Sequence, residues 1–323
     1  MAISITSREA IAKDKSGSVY TLTNGPSVIE VWPFMGFNAL KWSHDGTPVF
    51  YTSPEWETNP VPTRSGHPIL FPFPNRLKGG KLTFEGREYQ LPLNDSSGPN
   101  AIHGFTPRNA WRVIDSGVTA DSAFITGEFQ ISKDLPGAIW PADARIRLTY
   151  HLFETSLKVD AVIDAADGKA MPFGLGYHPY FTLPGSPLSE WQLQASAATL
   201  WEAESNLPSG KQLPLPASLD FQSQRVIGDV TLDTLYGKVT RSKMNEISRI
   251  ANEKATLTVH ADESFRELLL FTPPHRQAVA IEPYTCTTDA ANLDVRGVDA
   301  GWRVLAAGGS FACQVEYRYV RKG

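Results

Sequence analysis

The stretch that decides the fold runs from Ile146 to Ile163, IRLTYHLFETSLKVDAVI. Apolar side chains fall at Ile146, Leu148, Tyr150 and Leu152, pause over Glu154-Thr155-Ser156, and resume at Leu157, Val159, Ala161 and Ile163. A repeat of two sends alternate side chains to opposite faces of a pleated strand, one buried and one wet; a helix would repeat every 3.6 residues. The segment therefore reads as two antiparallel strands joined by a polar turn. The same parity recurs at Leu257, Val259 and Ala261. It recurs again at Phe311, Cys313, Val315, Tyr317 and Tyr319, five alternating positions of one long strand.

Two turn signals extend the pattern toward the N-terminus. Val19, Tyr20 and Leu22 lead into Asn24-Gly25 and out to Val28, Ile29 and Val31, and apolar flanks around Asn-Gly mark a tight hairpin. Leu82 and Phe84 precede Glu85-Gly86, with Tyr89 and Leu91 after it, which predicts a second hairpin. The window from Arg241 to Ala251 competes as helix, with too few apolar positions for more than a surface piece. The Pro-rich Leu207–Pro216 (LPSGKQLPLP) reads as a surface loop. Short strands punctuated by Gly, Pro and Asn predict an antiparallel sandwich or barrel. No βαβ rhythm, GxGxxG or GxxxxGK[ST] loop is present, which disfavours nucleotide-binding folds. Length alone would suggest about two domains of ~150 residues. With no repeat, linker or low-complexity break, one domain over residues 1–323 is the better expectation.

Composition narrows the function. Lys and Arg number 30 against 34 Asp and Glu, a net charge of −4, which offers nothing to a nucleic-acid backbone. No apolar run approaches the ~20 residues of a membrane span. The N-terminal MAISITSREAIAKDKSGS carries no apolar stretch of the secretory kind, and Cys286 and Cys313 are too few for a disulfide scaffold. The expected setting is a reducing cytoplasm, with no membrane and no nucleic-acid partner. No His/Cys cluster suggests a metal.

Of seven histidines, five have ordinary structural readings. His44 adjoins the Asp45-Gly46 turn, His67 and His275 neighbour prolines in loops, and His151 and His260 take the solvent parity of their strands. His103, in NAIHGF from Asn100, and His178, in GLGYHPYF from Gly174, sit among glycines and aromatics that suit a pocket for a polar ligand with apolar faces. Glu282 ends a short buried strand, Ala278–Ile281, where a carboxylate is costly unless paired or used. Asn75-Arg76 delivers a guanidinium at the end of ILFPFP.

Five segments, taken in order, resemble one family: GHPILFPFPNRLKGGKLTFEGREYQLPLN from Gly66, NAIHGF from Asn100, GYHPYFTLPG from Gly176, LDTLYG from Leu232 and AIEPYTCTTDAANL from Ala280. Each is modest alone; in sequence they are similar to the aldose 1-epimerase (galactose mutarotase-like) family. The resemblance implies an all-β fold, a large antiparallel β-sandwich, with a sugar held in an open cleft and no cofactor. It implies His178 as general acid and Glu282 as general base, with Arg76, His103 and Asp233 binding ring oxygen and hydroxyls. The chain departs from galactose mutarotases where Phe173–Tyr177 stands for an Asn-Leu-Thr-Asn-like run, and Thr182-Leu183 for Asn-Leu, which bears on the substrate rather than the chemistry.

The activity so implied interconverts α and β anomers of a free hexose. A hexose-6-phosphate 1-epimerase is the alternative, with Arg64, Lys78 and Arg108 available as rim cations. A catalytically silent sugar-binding module is a third reading, disfavoured by the presence of both His178 and Glu282. A glycosidase using Asp233 and Glu282 as its two carboxylates would leave both histidines without a role. Reference pKa values of ~4.3 and ~6.5 leave Glu282 and His178 about two units in which both carry charge. Mutual attraction would widen that window, and burial would close or invert it.

Overall fold

The computed structural model describes residues 3–322, and they are almost entirely antiparallel strand. A nine-stranded sheet orders Arg112–Val118, Ala123–Gln130, Ala144–Leu152, Ser156–Ala165, Ser310–Arg321, Ala255–Ala261, Glu246–Ala251, Gln192–Ala195 and Arg225–Val226. An eight-stranded sheet orders Leu207–Pro214, Ala197–Glu204, Asp233–Val239, Glu267–Phe271, Val279–Tyr284, Gly176–Tyr177 and Ile69–Leu70, with Tyr180–Phe181 also paired to Val279–Tyr284. A five-stranded N-terminal sheet holds Ile3–Ala12 through Thr47–Pro48. The result is the large antiparallel β-sandwich expected from the sequence. Among the described residues no helix is long and apolar enough to cross a membrane.

The parity of the deciding stretch accounts for the core. Ile146, Leu148, Tyr150 and Leu152 are buried, as are Leu157, Val159, Ala161 and Ile163, while the intervening residues of each strand are half exposed. The strands pair Tyr150 with Val159 and Leu148 with Ala161, so the apolar faces coincide. Ser310–Arg321 then pairs Val315 with Val159 and Tyr317 with Leu157. One contiguous apolar cluster joins these side chains to Leu268, Leu270, Val279 and Ile281 of the other sheet. Each fully buried aliphatic or aromatic side chain contributes about 1.5–3 kcal/mol.

Three local expectations are corrected. Arg241–Ala251 is not a helix; Glu246–Ala251 is a strand paired with Ala255–Ala261. A bulge between Glu246 and Ser248 inserts Ile247, so buried Ile247 and Ile250 stand three apart, the spacing a helix would show. Leu207–Pro214 is a strand and not a loop. It lies at the sheet edge, where Pro208 and Pro214 forfeit fewer ladder hydrogen bonds than in a central strand. His260 is buried despite its solvent parity, bonded to Thr258 Oγ1 at 2.8 Å and to the Met244 carbonyl at 2.8 Å, because the turn before Glu246 folds over that face.

Candidate active site

The eight-stranded sheet has one apolar face and one chemical face. In Val279–Tyr284, Val279 and Ile281 enter the main core, which leaves Ala280, Glu282 and Tyr284 on the opposite side. Register aligns Glu282 with Leu269, Leu269 with Leu235, and Ala280 with Phe271 and Asp233. Tyr180 pairs with Ala280 from the other flank. Period-two alternation thus collects Glu282, Asp233, Leu269, Phe271 and Tyr180 along a cleft of about 260 Å³. Glu282 lies within its strand, which continues to Tyr284, rather than at the strand end expected from sequence.

Loops complete the opposite wall. The His103 amide donates to the Asn75 carbonyl at 2.8 Å, at the start of the short strand Arg76–Lys78 that pairs with Asn100–Ile102. Both Asn75 and His103 occupy the left-handed region, at φ 55° and 64°, a conformation unusual for side-chain-bearing residues and frequent where geometry serves a site. Asp289 accepts the Lys78 amide at 2.9 Å and donates its own amide to the Arg76 carbonyl at 2.9 Å, fixing that strand from the far side. His178 stands between Gly176–Tyr177 and Tyr180–Phe181, with its amide bound to the Pro68 carbonyl at 3.0 Å. Gly176 is required here: a Cβ would come within 2.4 Å of the Tyr284 ring.

The five residues expected from sequence, Arg76, His103, His178, Asp233 and Glu282, all line this one cleft. His178 Nε2 lies 3.3 Å from Glu282 Oε1, and the His178 ring stacks on Tyr180 at 4.7 Å and meets His103 edge-on at 5.6 Å. Tyr284 donates its hydroxyl to Glu282 Oε2. Arg76 Nε pairs with Asp95 Oδ2 at 2.8 Å, and its other nitrogens reach Asn75 Oδ1 and Ser97 Oγ. Of the three cations considered for a phosphate, Arg64 and Arg108 line the cleft; Lys78 does not.

Burial sets the electrostatics. It drives the Glu282 carboxyl well above its usual range; the Tyr284 hydrogen bond opposes this and the Asp233 charge adds to it. It pushes His178 down to about 3. Of the two effects weighed from sequence, burial therefore outweighs charge pairing, and both shifts favour the uncharged forms. His103 is lowered by burial first, then by His178, Arg108 and Arg76. Asp233 is raised by burial against the pull of Arg76. Burial also raises Asp95, but hydrogen bonds from Ser97 and Asn100 and the Arg76 charge hold it down at about 2. His103 Nδ1, His178 Nδ1 and Glu282 Oε1 have no hydrogen-bond partner among the described residues, an unusual concentration of unused polar atoms in a buried setting.

Sequence reasoning missed the roles of Tyr284 and Asp95. Tyr284 was findable, since it stands two residues from Glu282 on a strand and must share its face. Asp95 lies in a loop without periodicity and gave no signal.

The sequence model of the family described as aldose 1-epimerase matches residues 21–318. The chain belongs to the aldose 1-epimerase family. It is 26% identical over 230 residues to the uncharacterised protein YihR of Escherichia coli K12, covering 70% of this chain and 72% of that one. It is 30% identical to the galactose mutarotase of Rattus norvegicus over 113 residues, 34% of this chain and 30% of that protein. In structure it superposes on a galactose mutarotase-like protein from Clostridium acetobutylicum with a TM-score of 0.87, at 20% identity over 99% of each chain. Galactose 1-epimerase from Lactobacillus acidophilus gives a TM-score of 0.80 at 19% identity over 100% of each chain. At such identities the structural likeness establishes the fold alone.

Proposed function

We propose that the protein is a single-domain, cofactor-independent aldose 1-epimerase, an isomerase that interconverts the α and β anomers of a hexose. The observation that carries this reading is the His178–Glu282 contact of 3.3 Å inside a cleft whose remaining walls offer hydrogen-bonding groups. Glu282, as carboxylate, takes the proton of the C1 hydroxyl while protonated His178 gives its proton to the ring oxygen, and the C1–O5 bond breaks. The open aldehyde turns about its C1–C2 bond. O5 then attacks the other face, His178 recovers its proton from O5, and Glu282 returns the other to the new C1 oxygen. Such acid–base assistance contributes about 10²–10⁴-fold. Arg76, His103 and Asp233 hold the rest of the sugar during the turn.

The buried electrostatics fit this cycle. Ionised Glu282 beside protonated His178 carries the same single proton as the pair of neutral groups, so the reactive form is a minor protonation state of the same pair. Two buried, unpaired thiols, Cys286 and Cys313, accord with a reducing cytoplasm as the proposed setting. Polarimetry tests the proposal: freshly dissolved α-glucose or α-galactose should reach anomeric equilibrium faster with the protein and without additives. If no aldose or aldose phosphate of a broad panel is accelerated, a silent sugar-binding module becomes the better account.

A further inference from the structure

A second carboxylate is buried on the cleft-side face of the eight-stranded sheet, and the reaction proposed above does not use it. Glu267 is 1% exposed and stands opposite Tyr284 where Glu267–Phe271 pairs with Val279–Tyr284. Its Oε2 accepts the Trp201 indole Nε1 at 2.8 Å. Its Oε1 meets Arg266 Nε only at 3.4 Å and has no hydrogen-bond partner among the described residues. Arg266 turns its terminal nitrogens to Asp299 instead, at 2.7 and 2.9 Å. The arginine is thus divided between an exposed carboxylate, which takes the two short bonds, and a buried one, which takes the long contact. A carboxylate buried with an oxygen unused is costly, and such groups concentrate where they serve a site.

The site it adjoins is the proposed base. Leu268 and Leu270 enter the main core, which leaves Glu267, Leu269 and Phe271 on the face that carries Glu282. Register sets Leu235, Leu269 and Glu282 in one row across three strands, and Glu267, Tyr284 and Gly176 in the row beside it. Trp201 packs in one apolar cluster with Leu235, Leu269 and Tyr284. Its indole is therefore bonded to Glu267 and packed among the side chains that back Glu282, one of which, Tyr284, donates to Glu282 Oε2. On the outer side, Trp201 and Arg266 border an open recess of about 540 Å³ with Gln212, Lys238 and Asp299, so solvent reaches both side chains that hold Glu267. Burial lifts Glu267 to about 7; the Trp201 bond and the Arg266 charge oppose this, and the Asp299 charge adds to it. From the neighbouring strand Tyr284 faces it, and the Cys286 thiol just beyond is itself raised by burial and by the Glu267 charge, so both stay neutral near pH 7.

We propose that Glu267 is a positioning residue for the epimerase: its carboxylate fixes the Trp201 indole, and through it Leu269 and Tyr284, behind Glu282, and its protonation releases that support. This rests on the epimerase reading and adds a pH-sensitive prop to it. The coupling runs through contact, since the proton affinity of Glu282 is set by burial, Tyr284 and Asp233. The experiment follows anomerisation of glucose and tryptophan emission from about pH 5.5 to 8.5 in the wild type, Glu267→Gln and Trp201→Phe. Wild-type kcat should rise about 3- to 10-fold as pH increases through about 7, opposite in sense to the alkaline limb, with a step in emission over the same range. Glu267→Gln keeps an acceptor for the indole but cannot ionise. It should hold the lower kcat at every pH, lose the emission step, and leave KM within about twofold, because Glu267 does not line the cleft. Trp201→Phe keeps aromatic bulk without the N–H and should lose most of the rise. A wild-type rise that persists in Glu267→Gln, or a loss expressed only in KM, overturns the proposal. Where Glu267→Gln does not fold, Arg266→Gln removes the facing cation and should move the midpoint of the rise upward; an unmoved midpoint overturns the proposal. If no sugar is turned over, the epimerase reading fails separately and emission decides. A step near pH 7 that is absent from Glu267→Gln and Trp201→Phe supports the titrating prop; no step, or one that survives both substitutions, overturns it.

Discussion

His67 and His178 are both buried, and burial lowers both to about 3. Their surroundings differ in one respect. His67 is saturated: Nδ1 meets the Tyr150 hydroxyl and Nε2 the Tyr317 hydroxyl, each at 2.9 Å, so the ring ties the segment before Ile69 to the nine-stranded sheet. Among the described residues, His178 has no partner at Nδ1 and at Nε2 meets only Glu282 and a distant Tyr180 hydroxyl at 3.4 Å. Burial and a depressed pKa are therefore common to a strut and to a proposed catalytic acid. Unused hydrogen-bonding capacity beside a cleft separates them.

The largest test of that contrast is kinetic. His178→Asn or Glu282→Gln should each lower kcat by about 10²–10⁴-fold, with the double variant scarcely worse than either single one, because acid and base act in one event. His67→Gln should leave kcat per folded molecule close to wild type in the same polarimetric assay. Equal losses at the two histidines would break the comparison.

The next effect is on stability and falls on the other residue. His67→Ala strands two buried tyrosine hydroxyls and opens a void, which costs roughly 2–5 kcal/mol, read from the shift in urea midpoint. The pH dependence has a definite sign. With a native value of about 3 against ~6.5 unfolded, His67 binds fewer protons when folded, so its contribution is present above pH 6.5 and is lost as pH falls toward 3. The variant should show a shallower acid decline than the wild type; an identical slope would mean that His67 titrates normally.

The smallest effect sharpens the catalytic side. With Glu282 raised and His178 lowered, the alkaline limb of kcat/KM reports loss of the Glu282 proton and the acid limb reports His178, well below an ordinary histidine. Tyr284 donates to Glu282 and favours its ionised form. Tyr284→Phe should therefore move the alkaline limb upward by roughly one pH unit. An unmoved or falling limb would show that Tyr284 does not tune the base.

Much of this arrangement was legible in the sequence. Period-two patterning placed Ile146–Ile163 and Phe311–Tyr319, Asn24-Gly25 marked a real hairpin, and the motif order gathered five residues that line one cleft. What escaped depends on partners distant in the chain. The Ile247 bulge imitated helical spacing, and the prolines of Leu207–Pro214 suited an edge whose position only the sheet order reveals. His67 read as a loop residue because its partners, Tyr150 and Tyr317, lie 83 and 250 positions away. Asp95 became visible only when Arg76 was seen beside it.

The position of Ser310–Arg321 carries a consequence for synthesis. This strand, the last in chain order among those described, lies between Ser156–Ala165 and Ala255–Ala261 in the middle of the nine-stranded sheet. Until this strand has emerged, both neighbouring strands present open edges. At about 5–20 residues per second, the gap between emergence of the first neighbour and arrival of its partner is on the order of ten seconds or more. The nascent chain must survive that interval with its largest sheet in two halves, and loss of this one strand would leave two unpaired edges at the centre of that sheet.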